Sequence, residues 1–479
     1  MKDNCTRRSF IKRSFAAGAA SSLLPFTQVR GANDDVRVGV IGLRSQGSNH
    51  VKWFHKIPGV RVVAICDPDQ AFLERESAKM KAQNTPVKTY RDLRKLLDNP
   101  DIDAVIIATP NHWHALAAVW ACQAGKDVYV EKPVSHNIWE GRQIVRAARK
   151  HQRIVQTGTQ NRSDEGLRAA FDYIRQGKLG RILRARCYYY GRRGGIGKVD
   201  GSQPVPETVD YNLWTGPAPL QPLMRKNLHY DWHWQWAHGN GDLGNNGIHY
   251  IDLLRWALGY QNLAPRVMSV GGKFLWDDDR ETPNTQIAFY DYQPAPIIFE
   301  MRNLTSHTGS KAMDLTYRRQ RAPVIIECEG GYFAGGWIWD YQDKKIKQFE
   351  VSGGGSHHEN FIKAVRSRKI SDLNADILQG HLSTALCHMG NISHRLGQAA
   401  TRPEIVEAIG DHAPLPEMFE RVQDHLLLNN ADIQKTPRIL GPWLTMDSKQ
   451  ERFTGPLSDQ ANALVKDDYR EPFVVPAEV

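Results

Sequence analysis

Runs of apolar residues alternate with segments of helix length over the first third of the chain. Five of these runs have the pattern of buried strands: residues 36–42, 60–67, 101–110, 127–133 and 153–160. Continuous apolar strands separated by helices are typical of a parallel sheet that is covered on both faces. The pattern predicts an α/β fold that begins with a doubly wound domain of the Rossmann type over residues 33–155.

Beyond residue 162 the pattern changes to longer strands joined by turns. The strongest such segments are residues 182–191, 285–292, 295–303 and 322–331. Most of them lack a crossover helix between them, which predicts a second α/β domain with a large, mainly antiparallel open sheet over residues 156–400. Residues 401–479 are rich in proline and polar residues and are interpreted as a C-terminal extension.

Residues 1–32 differ from the rest of the chain. The pair Arg7–Arg8 precedes Phe10 and Lys12, and a short run of small apolar residues follows. This layout resembles a twin-arginine signal peptide, and the apolar run is too short to span a bilayer. We therefore expect a bacterial protein that the twin-arginine machinery exports in folded form to the periplasm. The alternative is a basic disordered tail.

Composition narrows the function further. The net charge of +10 falls to +5 without residues 1–32, and no basic cluster is interleaved with aromatic residues, so nucleic acid is not an expected partner. No apolar stretch is long enough to predict a membrane span. The cysteines beyond residue 32 are dispersed and odd in number, which argues against a disulfide framework and a zinc site; they are Cys66, Cys122, Cys187, Cys328 and Cys387.

A glycine-rich turn follows the first predicted strand. Gly42 and Gly47 occupy the outer positions of the G-x-G-x-x-G pattern that brings backbone amides to a pyrophosphate, while Arg44 replaces the middle glycine. Asp67 ends the second strand, where a carboxylate binds ribose hydroxyls and repels a 2′-phosphate. The combination predicts a bound dinucleotide, with NAD favoured over NADP.

The stretch "DVYVEKPVS" ends an apolar strand on an acid–lysine pair, Glu131 and Lys132, followed by Pro133. Ligands of doubly wound sheets bind outside the carboxyl ends of the strands. This position predicts that the pair faces the ligand, although a surface ion pair would have the same sequence.

Five stretches together resemble the Gfo/Idh/MocA oxidoreductases, the family of glucose–fructose oxidoreductase and inositol dehydrogenase. They are "VRVGVIG", "VAICDPD", "DAVIIATPNHWH", "GKDVYVEKPVS" and "GDLGNNGIHYIDLLRWALG". The resemblance implies NAD(P)-dependent chemistry on a small carbohydrate. It also implies a homo-oligomer, a dimer or tetramer, because the open sheet of the second domain often forms an oligomer contact in this family.

The resemblance also implies site residues. Lys132 would lie beside the nicotinamide and hold the substrate oxygen, and Glu131 would approach the nicotinamide ribose. Other residues implied to line the cofactor are Thr109, Asn111, His114, Gln160 and Asn161.

The segment 241–259 supplies the second half of the predicted site. Asn245, His249 and Asp252 have the spacing of one helix face. A helix N-terminus disfavours imidazolium, so a neutral His249 is suited to act as the general base. The family usually has an acid at the position of Asn245, so His249 would act alone or with Asp252 or Asp242.

Aromatic residues upstream suit a sugar. Trp214, His233 and Trp234 are predicted to bind the substrate, although core or interface positions would explain them equally well. No metal site is predicted.

Three functions remain. The first is an oxidoreductase acting on a carbinol of a sugar, polyol or sugar derivative, with tightly bound NAD because an exported enzyme cannot exchange NADH with the cytoplasm. The second is a glycoside-cleaving enzyme that cycles through oxidation, elimination, addition and reduction. The third is a non-catalytic sugar- or nucleotide-binding relative.

Overall fold

A computed structural model describes residues 35–313, 317 and 323–479. The predicted signal peptide over residues 1–32 lies outside these residues. In the part described, no helix is both long and apolar enough to cross a bilayer.

The first domain is a six-stranded parallel sheet with strand order 3-2-1-4-5-6, which confirms the predicted doubly wound fold. Its strands are β1 (Val36–Ile41), β2 (Val60–Cys66), β3 (Lys88–Tyr90), β4 (Ala104–Ile107), β5 (Asp127–Val130) and β6 (Val155–Thr157). Its helices are α1 (Gln46–His55), α2 (Gln70–Ala82), α3 (Leu93–Leu97), α4 (Asn111–Gln123) and α5 (Ile138–Lys150).

The second domain contains a twelve-stranded sheet, mixed but mostly antiparallel, as predicted. Its strands are β7 (Ile182–Tyr190), β8 (Arg266–Gly272), β9 (Thr285–Tyr290), β10 (Ile297–Arg302), β11 (Val324–Cys328), β12 (Gly331–Ala334), β13 (Trp337–Trp339), β14 (Lys345–Gln348), β15 (Gln398–Ala400), β16 (Arg438–Leu440), β17 (Leu444–Asp447) and β18 (Arg452–Thr454). The helices are α6 (Glu165–Arg175), α7 (Tyr211–Thr215), α8 (Ile248–Leu258), α9 (His357–Ser367), α10 (Ile377–Arg395), α11 (Arg402–Ile409), α12 (Leu415–Leu428) and α13 (Ser458–Ala463).

Both faces of the central strands in this sheet are covered. The side chains of β8–β10 alternate, so that Val267 and Ala288 pack with α8 and α10 on the inner face, while Met268 and Phe289 face outwards. The outward residues pack against α11 and α12. The face that the resemblance associates with an oligomer contact is therefore occupied, over these strands, by helices of the same chain.

Residues 401–479 are integrated into both domains. Strands β16 and β17 pair with β8, which extends the sheet. The tail then crosses to the first domain, where Phe473 and Val475 join the apolar core. Asp467 accepts hydrogen bonds from the His136 ring and the Asn137 amide, at 2.7 and 3.0 Å. The predicted extension thus holds the chain immediately after the Glu131–Lys132 pair.

Candidate active site

A cavity of about 430 Å³ lies where the carboxyl ends of β1, β2, β4 and β5 meet the second domain. Thirteen of the sequence-predicted site residues line it: Gly42, Arg44, Asp67, Thr109, Asn111, His114, Glu131, Lys132, Gln160, Trp214, His233, Asn245 and His249. Four others do not line it: Gly47, Asn161, Trp234 and Asp252. The two domains thus contribute to a single cavity, as the resemblance implies.

The glycine turn requires its glycines. Gly42 has a φ of +85°, and a Cβ there would lie 2.6 Å from the Ala108 carbonyl oxygen. A Cβ on Gly47 would lie 1.7 Å from the Gly42 oxygen, so Gly47 allows α1 to pack against the turn although it does not line the cavity. No side chain caps the N-terminus of α1, where Ser45 lines the cavity. An uncapped N-terminus of a ten-residue helix suits the pyrophosphate of a dinucleotide.

Asp67 is tied to the same turn. Its carboxylate accepts hydrogen bonds from the backbone amides of Leu43 and Asp69, at 2.8 and 2.9 Å. Burial raises the pKa of Asp67 to about 7, in spite of these two bonds. The carboxyl group therefore fixes the turn as well as lining the cavity.

Glu131 is buried and surrounded by donors. Its Oε1 atom lies 2.9 Å from His50 Nε2 and accepts from the side-chain amides of Gln46 and Gln160, at 3.1 and 3.3 Å. Burial alone would raise the pKa of Glu131, but the hydrogen bond from His50 and the charge of Lys132 hold it well below its usual value. The Glu131 side chain is therefore an ionised acceptor.

Gln46 and His50 were missed by the sequence analysis. They are four residues apart on α1, so they share a helix face. Their spacing predicts a shared helix face, but it does not reveal their partner, the Glu131 carboxylate, which is 85 and 81 residues away in the chain.

Lys132 bridges the two domains. Its ammonium donates to the backbone oxygen and the side-chain oxygen of Asn245, at 2.7 and 3.1 Å. Burial lowers the pKa of Lys132, and the charges of Glu131 and Asp242 oppose the shift. An ammonium has three donors, so one remains for a ligand.

Asn245 lies in a π-helical turn, Leu243–Gly247, directly before α8. Turns of this type occur frequently at functional sites because they displace the regular helical hydrogen bonds. Both oxygens of Asn245 are directed to Lys132, so the residue that replaces the family's usual acid orients the lysine.

His249 opens into the cavity from the first turn of α8. Its ring makes no hydrogen bond to any residue that the structure describes, and burial followed by the charge of Lys132 lowers its pKa to about 4. The imidazole is therefore neutral at physiological pH, as a general base requires.

Asp252 lies outside the cavity, contrary to the predicted shared face. It is fully buried and forms a two-bond ion pair with Arg162, at 2.8 and 2.9 Å, and it accepts a hydrogen bond from Ser383 at 2.6 Å. The structure does not support a substrate-binding role for Asp252, because its acceptor atoms are used within the protein.

Asp242 is also engaged within the protein. It is fully buried and accepts hydrogen bonds from the side chains of Asn246 and Asn303, at 2.7 and 2.8 Å, and it pairs with Arg193 at 3.3 Å. It therefore acts on Lys132 through its charge, without direct contact.

Two further predictions fall outside the cavity. Trp234 is 1% exposed, with the Arg280 guanidinium 4.1 Å from its ring centre, so it is a core residue. Asn161 lies in a 3₁₀ turn, and its backbone oxygen accepts a hydrogen bond from the Asp164 amide. Trp214 and His233 line the cavity as predicted, and the His233 ring stacks on Trp232 at 3.6 Å.

His114 and Asn111 support the cavity wall. The His114 ring nitrogens lie 2.6 and 2.8 Å from the carbonyl oxygens of Pro133 and Thr109. The Asn111 amide donates to Asn240 in the second domain, at 2.9 Å. Thr109 Oγ1 is buried and has no partner in the described part of the chain, so the wall keeps a polar atom for a ligand.

Segments of the second domain cross over the β2 side of the cavity. The amide of Asp210 donates to the Pro68 oxygen, and the amide of Gln70 donates to the Thr208 oxygen, both at 3.0 Å. The His229 ring lies 3.0 Å from the Asp69 carboxylate. We call residues 206–214 and 227–233 the roof. The sequence did not predict it, because these contacts join segments about 140 to 160 residues apart.

Comparison with known proteins identifies the family. Residues 36–159 match the Gfo/Idh/MocA model described as an oxidoreductase NAD-binding Rossmann fold, and residues 193–414 match the C-terminal alpha/beta domain of the same family.

Curated relatives include a "Glycosyl hydrolase family 109 protein" of Shewanella baltica (strain OS155), 35% identical over an alignment of 212 residues that covers 39% of this chain and 46% of that protein. Another of the same name, from Shewanella sp. (strain W3-18-1), is 39% identical over 162 residues, 33% of this chain and 35% of that protein. The matched region thus spans less than half the length of these relatives.

Solved structures show the same fold. The WlbA dehydrogenase from Bordetella pertussis, in complex with NADH and UDP-GlcNAcA, has a TM-score of 0.54 and 21% identity over 74% of this chain and 94% of that one. The myo-inositol dehydrogenase from Lactobacillus casei, in complex with NAD(H) and myo-inositol, has a TM-score of 0.50 and 18% identity over 75% and 95%. The two family models and the shared architecture establish that this chain belongs to the Gfo/Idh/MocA family of NAD-binding oxidoreductases.

Proposed function

We propose that the protein is a NAD-dependent oxidoreductase that acts on a carbinol of a sugar, polyol or sugar derivative. The observation that carries the proposal is the convergence of Lys132 and His249 on the cavity that also contains the glycine turn and Asp67. The names of two solved relatives, which bind UDP-GlcNAcA and myo-inositol together with the cofactor, support this substrate class.

The residues present fit a dinucleotide. The uncapped α1 N-terminus suits the pyrophosphate, and the ionised Glu131 can accept ribose hydroxyls. Asp67 favours NAD over NADP because its carboxylate, when ionised, repels a 2′-phosphate. A dinucleotide held by these residues would supply a hydride acceptor for the oxidation of the carbinol.

Lys132 and His249 would have separate roles in the reaction. The third donor of Lys132 holds the substrate oxygen and stabilises the negative charge that develops there. The neutral His249 takes the hydroxyl proton. Asn245 cannot accept this proton, so it orients Lys132 while His249 acts as the base.

The test of this proposal starts with the purified protein. Denaturation and chromatography would identify any released nucleotide, and sugars, polyols and glycosides would then be screened for turnover. Absence of nucleotide binding would contradict the proposal. A retained nucleotide without turnover on any substrate would instead favour the non-catalytic relative.

A first prediction concerns His249. Replacing it with Gln is expected to lower kcat by about 10²- to 10³-fold, because a positioned base is lost while the side chain stays polar. The kcat/KM of the wild type should decrease as the pH falls through about 4, since the pKa of His249 is lowered to about 4, which gives the pH profile an acid limb. This limb should disappear in the His249→Gln variant. A wild-type limb near pH 6.5 that survives the substitution would assign the base to another group.

Tight nucleotide binding is supported by the roof. The contacts of residues 206–214 and 227–233 with Pro68, Asp69 and Gln70 close the β2 side of the cavity. A bound dinucleotide would then leave only after these contacts open, which suits an enzyme that keeps its cofactor between turnovers.

A second prediction tests the roof. His229→Ala is expected to speed nucleotide release by about 10- to 100-fold, because it removes a charge-assisted hydrogen bond of about 1.5–3 kcal/mol. Release can be followed by trapping the free nucleotide with a coupled enzyme. His307→Ala, at an exposed position outside the cavity lining, should leave release unchanged. Equal release rates in the two variants would contradict the role of the roof.

The glycoside-cleaving alternative is favoured by one observation, the name "Glycosyl hydrolase family 109 protein" of the curated relatives. In that case the hydride taken from the sugar returns to it within one turnover. Release of free sugar from a glycoside without added NAD, and without net formation of NADH, would select this alternative. Growth of the reduced-cofactor absorbance with added NAD would select the dehydrogenase.

Export to the periplasm remains a proposal that the pair Arg7–Arg8 supports. The test is fractionation of cells that produce the full chain, beside a variant with both arginines changed to lysine. Wild-type protein in the periplasm and variant protein retained in the cytoplasm would support twin-arginine export. Equal distributions would contradict it.

A homo-oligomer, a dimer or tetramer, also remains a proposal from the family resemblance. Because α11 and α12 cover the outer face of β8–β10, its contacts would have to lie elsewhere on the surface than on these strands.

A further inference from the structure

Glu131 places a buried negative charge in the wall of the cavity, next to Lys132 in the chain. Its side chain lines the cavity and is 7% exposed. In the part of the chain that the structure describes, no lysine or arginine forms an ion pair with this carboxylate, and the ammonium of Lys132 is directed to Asn245. The charge of Glu131 is therefore not cancelled by direct contact with a basic side chain of this kind.

His50 fixes the orientation of the carboxylate. The ring is fully buried on α1, and its Nε2 atom lies 2.9 Å from Glu131 Oε1. An ionised carboxylate only accepts hydrogen bonds, so Nε2 carries the proton of this contact. The other ring nitrogen, Nδ1, is buried and has no partner among the described residues, so the hydrogen bonding requires no second proton. A ring with a single proton is neutral and leaves the charge of Glu131 in place.

Close packing holds both members of this pair. A Cβ on Gly158, just after β6, would lie 2.9 Å from the carboxyl atoms of Glu131. The His50 ring packs against the rings of Tyr129 and His358, with ring centres 5.2 and 5.3 Å away. The position of the negative charge is thus fixed by packing as well as by hydrogen bonds.

The charge of Glu131 acts on both groups that are proposed to contact the carbinol. Burial, followed by the charge of Lys132, lowers the pKa of His249, and the charge of Glu131 opposes this shift. Burial also lowers the pKa of Lys132, and Glu131 is the strongest of the charges that oppose it. A nicotinamide that reacts with the same carbinol must therefore lie within range of this carboxylate.

The nicotinamide ring of NAD carries a positive charge, which reduction to NADH removes. A fixed negative charge stabilises the charged ring more than the neutral one, and it does so most strongly where water is excluded. We propose that Glu131, positioned by His50, is a specificity determinant that raises the affinity of the cavity for NAD relative to NADH. This inference rests on the proposed function, because it requires a nicotinamide cofactor in the cavity.

The test is an exchange experiment on the full protein in the absence of sugar. The protein is equilibrated with NAD and NADH at known ratios, and the bound nucleotides are separated and quantified after denaturation. Bound and free amounts together give the ratio of the two dissociation constants. Glu131→Gln is expected to shift this ratio about 5- to 20-fold towards NADH, the effect of one nearby charge. At about 30 mV per tenfold change, the midpoint potential of the bound nucleotide would rise by about 20–40 mV.

Variants of His50 test its positioning role. His50→Leu removes the donor, which allows burial to favour the protonated carboxyl group, and should shift the ratio about 3- to 10-fold in the same direction. His50→Gln should restore most of the preference, because its amide can donate to the same oxygen. Two controls should leave the ratio unchanged. They are His55→Leu, at a partly exposed position of α1, and Glu74→Gln, which removes the same charge at an exposed position of α2; both lie outside the cavity lining.

An unchanged ratio in Glu131→Gln, or a shift towards NAD, would overturn the inference. A ratio in His50→Leu equal to that of the wild type would overturn the role of His50. Carbinol turnover with a ratio that Glu131→Gln does not change would remove only this inference. The expected shift in a protein that turns over no carbinol would uphold the inference and contradict the oxidoreductase. A protein that binds neither nucleotide would contradict both.

Discussion

Replacing Lys132 with Met is expected to lower kcat by about 10²- to 10⁴-fold while the protein stays folded and retains its nucleotide. Methionine preserves the length and much of the volume of the side chain, but it removes the donor that is proposed to hold the substrate oxygen. The lost bonds to Asn245 involve one side chain at the domain boundary, so the fold should persist. Turnover, bound nucleotide and the thermal midpoint would be measured on the same preparation.

The matched control is Lys126→Met, at the other end of the same strand. Lys126 precedes β5 and donates to the backbone oxygens of Asn99 and Ile102, at 2.8 and 2.9 Å, outside the cavity. Its loss should cost about 1–3 kcal/mol of the free energy of unfolding, because two carbonyl groups lose their partner. It should leave kcat unchanged in the folded fraction. Undiminished turnover of Lys132→Met, or an equal loss in both variants, would contradict the proposed site.

The first domain could be predicted almost completely from the sequence because its signals are local. Five of its six strands follow the predicted apolar runs, while β3 is short and polar and was not predicted. The turn after β1 requires glycine at position 42 for its conformation and at position 47 for packing space. The sequence predicted that the second sheet is large and mainly antiparallel, but it did not predict all of its strands. Short strands such as β15 and β16 are specified by pairing with distant strands, which a local pattern does not show.

Within the site, the sequence correctly predicted the residues at the ends of strands and the starts of helices, because such positions face the ligand in this type of fold. Lys132 and His249 are of this kind. It did not distinguish Trp214, which lines the cavity, from Trp234, which is buried beside Arg280. Both rings are buried with a guanidinium group over them, Arg225 at 5.0 Å for Trp214 and Arg280 at 4.1 Å for Trp234, so the two differ only in their position relative to the cavity, which composition does not reveal.

Helical periodicity also failed at Asp252, although His249 and Asp252 lie only three residues apart in the regular helix α8. Asn245 and His249 both line the cavity across the π-helical turn Leu243–Gly247, but Asp252, in the next turn of α8, is buried. Asp252 instead faces Arg162 in the protein interior. The residue predicted to contact the substrate therefore becomes a candidate for the largest effect on stability.

Asp252→Asn is expected to lower the free energy of unfolding by about 3–5 kcal/mol at neutral pH, because Arg162 would stay buried without its counter-charge. The Arg162 and Asp252 side chains are 6% and 1% exposed, so water cannot replace the lost partner. Chemical denaturation followed by circular dichroism would measure the effect. Asp172→Asn, which breaks an exposed pair with Arg175 on α6, should cost less than about 1 kcal/mol.

The pH dependence of this difference separates lost charge from lost packing. Burial alone would raise the pKa of Asp252, but the charge and hydrogen bonds of Arg162 lower it below the unfolded value of about 3.9. The contribution to stability is thus fully present above about pH 4 and disappears as the pH falls through the folded pKa. The difference in the free energy of unfolding between the wild type and Asp252→Asn should therefore become smaller at acidic pH. A stability difference that does not change with pH, or one no larger than that caused by Asp172→Asn, would contradict this role of the ion pair. The pair would then not be what fixes α8, which carries His249, to the turn that carries Gln160.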